Sequence, residues 1–139
     1  MLFRSKQGKY ADAELLFKEA LTGCQKALGQ EHPDTLTSIN NLAALYHMQG
    51  KYADAESLFK EALAGHQKAL GQEHSDTLSS MENLALLYEI QGKYANAEPL
   101  YKKALAGYQK VFGQDHPHTI TSMDKLASFY NNWNSGLQL

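Results

Sequence analysis

Apolar and polar positions alternate along this chain with the period of an α-helix, and the alternation is written three times. Leu36, Ile39, Leu42, Ala43 and Tyr46 recur at intervals of three and four, which puts them on one face of a helix and predicts that element over about 33–49. Gly50 follows as a stop, because glycine adopts at low cost the left-handed backbone that closes a helix. A second stripe, Ala55, Leu58, Phe59, Ala62, Leu63, Ala69 and Leu70, predicts a second helix over about 52–69. Asp54 and Glu56 lie in its first turn, where negative charge complements the helix dipole. Glu14–Lys18, Glu56–Lys60 and Glu98–Lys102 stand four residues apart, as ion pairs on a solvated helix face do.

The phrase GKYADAE at 8–14 returns at 50–56 and, as GKYANAE, at 92–98, so the period is 42 residues. Residues 8–49 and 50–91 differ at only 10 of 42 positions, which makes each copy one structural unit of two helices. A lone helical hairpin cannot bury its apolar stripe; stacked neighbours can, and the packing problem then repeats with the sequence. The expected organisation is therefore a single array over 1–133. Residues 1–7 are the last turn of a preceding first helix, 8–49, 50–91 and 92–133 are repeats, and 134–139 form a tail. Gly23, Gly65 and Gly107 recur inside the second helices, where close helix approach is the expected reason. Pro99, past the first turn of its helix, should bend it slightly.

Composition narrows the function. The chain is 43% hydrophobic and 20% charged, ordinary for a folded domain, and its 13 basic and 15 acidic residues are mixed to a net charge of −2. No basic footprint for nucleic acid or an anionic membrane emerges from that balance, and no apolar run suits a bilayer span. Cys24 stands alone, which fits a reducing, cytoplasmic setting. His32, His74 and His116 occupy equivalent loops one repeat apart, too far separated to share a metal ion; beside Pro33 and Pro117 they are expected to help start the following helices. No nucleophile–base set is discernible, so neither an enzyme nor a cofactor or metal site is expected.

The residues Ile39, Leu42, Ala43 and Tyr46 of the first helix, with Ala55 and Phe59 of the second, resemble the tetratricopeptide repeat. The next copies read Met81, Leu84, Ala85 and Tyr88 with Ala97 and Tyr101, then Met123, Leu126, Ala127 and Tyr130. The standard unit has about 34 residues; the longer unit here, with NNLAALY and GKYADAE, resembles the repeats of kinesin light chains. ALAGHQKALGQEHSDTL is similar to arrays at the C-terminal end of NACHT and NB-ARC signalling proteins, although no heptad segment and no GxxxxGK[ST] loop is present. The resemblance implies an all-α, right-handed superhelical solenoid of antiparallel helix pairs. It also implies a protein-interaction scaffold whose first helices line a concave groove for a peptide or partner segment.

Mapped through that pattern, the groove stripe is Thr37, Asn41, Ala44 and Met48, then Ser79, Asn83, Leu86 and Ile90, then Thr121, Lys125, Ser128 and Asn132. Asn40, Glu82 and Asp124 flank it on one side, His47, Glu89 and Asn131 on the other. Between 34 and 49 the first two copies differ at six positions, five of which fall on this face or its edge, while Leu36, Leu42, Ala43, Leu45 and Tyr46 stay constant. The resemblance gives Asn41 and Asn83 the task of holding a bound peptide's backbone, which an amide does with its donor and its acceptor. Lys125 stands where the third Asn would be and should meet an acidic side chain or a C-terminus, and Leu86 with Ile90 should anchor one apolar side chain. The acidic flank makes an acidic ligand a poor fit.

At the C-terminal end, Ser128 and Asn132 replace Leu86 and Ile90, as in a solvating cap, whereas Phe129 and Trp133 are expected to leave apolar surface open. Leu16, Phe17 and Leu21 should lack cover at the other end. Head-to-tail stacking of molecules through these ends is the alternative function.

Overall fold

The computed structural model describes residues 2–138, with side chains described for 8–136. Six α-helices follow one another: α1 (Leu2–Leu28), α2 (Pro33–Met48), α3 (Tyr52–Leu70), α4 (Ser75–Ile90), α5 (Tyr94–Phe112) and α6 (Pro117–Gln138). They fall into two compact units, 1–69 with α1 to α3 and 70–139 with α4 to α6.

Helix ends are settled by the repeat's own residues. At the start of α2 the His32 Nδ1 accepts the Asp34 backbone N–H at 3.1 Å, and His74 does the same for Asp76 at 3.1 Å and His116 for His118 at 3.0 Å. The expectation that these histidines start helices thus acquires an atom and a bond. Thr35 and Thr77, fully buried, donate from Oγ1 to the carbonyls of Gly29 and Gly71, each at 2.7 Å, and so serve oxygens that the preceding helix leaves open. At the hairpin turns, Lys51 N–H reaches Tyr46 O at 2.8 Å and Gly50 N–H reaches His47 O at 3.0 Å. This paired closure needs a left-handed residue, and Gly50 (φ +79°) and Gly92 (φ +76°) supply it.

The apolar stripes meet as the periodicity requires. In the first unit Leu36, Ile39 and Ala62 form a buried cluster with Leu21 and Leu58 packed against it. In the second unit Leu78, Met81, Leu84, Ala85 and Leu87 of α4 are buried, as are Ala97, Tyr101, Ala104 and Tyr108 of α5. Gly65 and Gly107 are seats for neighbours: a Cβ at either would collide with the δ-methyl groups of Leu36 and Leu78 respectively. Gly23 differs from this expectation, because nothing lies within 4 Å of where its Cβ would stand.

Three further expectations change. Gly8 does not end a helix: α1 runs through it, since each added residue gains a backbone bond and only a helix folding back would select a turn there. The side chains of residues 1–7 lie outside the described residues. At the other end α6 continues past 133 to Gln138, so most of the expected tail is helix, and Leu139 lies outside the described residues. Phe129 is fully buried, its ring centroid 5.2 Å from that of Tyr101 and 5.6 Å from that of Trp133, which itself stacks on Tyr94 at 5.8 Å. The apolar surface left open on α6 belongs to Ile120 and Tyr130 instead; Leu15 and Leu16 are open on α1, and Phe17 and Leu21 are half-buried.

Candidate functional site

Burying one face of each first helix exposes the opposite one. On α2 that face carries Thr37, Asn41, Ala44 and Met48; on α4, Ser79, Asn83, Leu86 and Ile90; on α6, Thr121, Lys125, Ser128 and Asn132, and all twelve are exposed. The flanking positions behave differently from one another. Asn40, His47 and Glu89 are half-buried, and Asp124 and Asn131 are open. His47 lies edge-on to Tyr52 at 5.8 Å between ring centroids, and burial pushes its imidazole pKa down.

Glu82 departs from its expected place on the rim. Only 5% of it is exposed, and its Oε1 accepts the Lys125 ammonium at 3.2 Å. A carboxylate leaves water only where a donor replaces the lost solvation, and a lysine one repeat later on α6 provides it. Lys125 is therefore engaged within the chain, where the residue pattern assigned it to a ligand. Glu82 Oε2 is buried and accepts no hydrogen bond among the described residues. The corresponding oxygen one repeat earlier, Asn40 Oδ1, is in the same condition.

Glu89 is fixed from two sides. Tyr101 OH donates to Oε1 at 2.8 Å and Asn132 Nδ2 donates to Oε2 at 2.6 Å. Burial, then the bond to Glu89, raises the Tyr101 phenol well above its ordinary range. Ser79 Oγ and Tyr108 OH share a hydrogen bond of 3.1 Å, so Ser79 is exposed but tethered.

Between α4 and α6 lies an open cleft of about 360 Å³ lined by Leu86, Glu89, Tyr101, Asp124, Lys125 and Asn132, together with Thr121 and Ser128. A second cleft of about 320 Å³ continues from Glu89 and Asn132 towards Ile90, Tyr94, Ser135 and Gly136. Leu86 and Ile90, expected to form one anchoring pocket, line separate clefts that share Glu89 and Asn132. Gly136 keeps the second one open beside Tyr94, whose hydroxyl would lie 3.3 Å from an added Cβ. The tyrosine floor at Tyr101 and the Asn132–Glu89 bond escaped the sequence reading, because both join helices through partners 12 and 43 residues apart.

Among the described residues no group of three or more His, Cys, Asp or Glu side chains is placed to hold a metal ion. No helix among them is long and apolar enough to cross a membrane.

Comparison with known proteins follows the same line as the geometry. Two family models, both for the tetratricopeptide repeat, match residues 2–68 and 77–118. A search of curated proteins finds no match to the chain. Among solved structures, the nearly identical TPR-like repeats ascribed to a Podosopora anserina kinesin light chain superpose with a TM-score of 0.79 at 29% identity, covering 96% of this chain and 63% of that one. BtubC (BKLC) from P. vanneervenii superposes with a TM-score of 0.79 at 26% identity, covering 90% of this chain and 50% of that one. The chain thus spans less than two thirds of the length of either. Tetratricopeptide repeats generally mediate contacts between proteins and are generally without catalysis of their own. With six helices among the described residues, a 42-residue period, two matching family models and these neighbours, the chain belongs to the tetratricopeptide-repeat family as an all-α array of the kinesin-light-chain type.

Proposed function

We propose that this chain is a non-enzymatic interaction module that binds a peptide or partner segment along the exposed faces of its first helices, in a reducing, cytoplasmic setting consistent with its free Cys24. The observation that carries the reading is the exposure, within each unit, of Thr37, Asn41, Ala44 and Met48 on α2 and of Ser79, Asn83, Leu86 and Ile90 on α4, each set opposite a buried seam. Exposed Asn41 and Asn83 offer a donor and an acceptor each to a passing backbone, and Leu86, 45% exposed, and Ile90, 49% exposed, offer apolar contact. A peptide-array screen would supply a ligand. Asn41→Ala and Asn83→Ala should then each weaken it without changing helicity; affinity unmoved by both would rule this face out.

A second reading, self-association, rests on the seam of α6. Ile120 is 45% exposed where its counterpart Leu78 is 1% exposed, so this face resembles α4 without its covering helix. Sedimentation over a concentration series decides it: growth of the species with concentration supports association, and a monomer at every concentration excludes it.

A further inference from the structure

The cleft between α4 and α6 has a chemical character that narrows its occupant, and the inference rests on the peptide-binding reading above. Glu82 lies four residues before Leu86 on α4, and its Oε1 is bonded to Lys125; Leu86 and Lys125 both line the cleft. Its second oxygen is buried and without a donor among the described residues, on a carboxylate that cleft-lining Lys125 already bonds. A lysine ammonium meets such a carboxylate at one point, leaving half of its hydrogen-bonding capacity unused. A guanidinium carries two parallel N–H groups spaced to meet both oxygens at once.

The surroundings favour the same group. Asp124 is exposed on the cleft wall, Glu89 is anchored at its edge by Tyr101 and Asn132, and Lys125 is the one cation among the lining residues. Glu89 and Asp124 of the lining, together with Glu82 bonded to Lys125, outnumber it three to one. Beside them Leu86 presents apolar surface suited to the methylene stem of a long side chain. Repetition adds independent weight: the equivalent oxygens of Asn40 and Glu82 are both buried and unmet, and the third copy places another carboxylate, Asp124. One repeat position thus carries an acceptor oxygen in every copy.

We propose that the cleft between α4 and α6 receives an arginine side chain of the partner segment, which takes both oxygens of Glu82 and displaces Lys125 into solvent. Lys125 is then an internal occupant that keeps the buried carboxylate paired until the ligand arrives. Because the ligand's arginine must expel it, removing Lys125 improves binding, an outcome opposite to that of deleting a residue that touches the ligand.

Four pools of fluorescent 12-residue peptides, otherwise randomised, with arginine, lysine, citrulline or glutamate fixed at the centre, test the proposal by anisotropy against the intact chain. The arginine pool should bind about tenfold more tightly than the citrulline pool, which keeps the shape and loses the charge. Lys125→Ala should tighten the arginine pool further, and Glu82→Gln should erase its advantage over citrulline. Thermal melting monitors both variants; if Glu82→Gln fails to fold, the wild-type pools and Lys125→Ala still decide. Equal binding of the arginine and citrulline pools, preference for glutamate, or weaker arginine binding in Lys125→Ala would overturn the inference while leaving a peptide-binding face intact. No binding by any pool would overturn both.

Discussion

Helix α4 presents two faces that obey different rules. Its inner face, Leu78, Met81, Leu84, Ala85 and Leu87, is buried, and Leu78, Leu84 and Ala85 repeat the residues of α2 at Leu36, Leu42 and Ala43. Its outer face, Ser79, Asn83, Leu86 and Ile90, is exposed and keeps only Asn83 in common with its α2 counterparts Thr37, Asn41, Ala44 and Met48. Close packing admits few side-chain shapes, so copies of a seam stay alike. An exposed face carries no such constraint and is free to acquire a ligand's chemistry copy by copy. Stability and, on the function proposed above, recognition are thereby separated by about half a turn of the same helix.

The separation can be broken from the inside first. Leu84→Ala should cost about 2–5 kcal/mol of stability, the ordinary loss for a buried leucine that leaves a cavity, measured by urea unfolding. Loss of less than 1 kcal/mol would mean that the seam repacks freely and that its constancy has another cause. Tyr101→Phe comes next. It removes the hydroxyl that fixes Glu89 and should cost about 1 kcal/mol. Tyr101 also bears on alkaline stability. Its proton is held more tightly folded than unfolded, so stability is lost as pH rises through and above the ordinary phenol value of 10.0. Tyr101→Phe should flatten that decline in a pH series of unfolding curves.

Two glycines sharpen the contrast. Gly23→Ala, on open helix surface, should raise stability by up to about 1 kcal/mol. Gly65→Ala should gain less or lose, because Leu36 occupies the space of the new methyl group. Equal shifts in melting temperature would show that the Leu36 contact yields without cost. The smallest effect belongs to the outer face: Asn83→Ala should leave stability within about 0.5 kcal/mol of the parent, and a larger loss by denaturant titration would show that this face has a packing role.

The sequence pattern carried the helices, their turns and the assignment of inner and outer faces, because those follow from local spacing and from residues such as Gly50 and His32 that act on neighbouring backbone. It did not carry the interior of the site. Glu82 reads as a solvated rim residue until α6 brings Lys125 against it, 43 residues away. Phe129 reads as uncovered until Tyr101, Tyr94 and Trp133 gather around it. Gly8 has the letters of a turn and the conformation of a helix, since conformation at a permissive residue is chosen by what packs nearby. In each case the missing information was tertiary.

The helix caps have a consequence for how such a chain can change length. His32 with Gly50, and His74 with Gly92, satisfy the ends of α2 and α4 by bonds between residues close in sequence, in a pattern that recurs every 42 residues. An in-frame gain or loss of 42 codons therefore cuts no cap and strands no backbone group, and recombination between near-identical copies can lengthen or shorten the gene while every surviving module remains structurally whole.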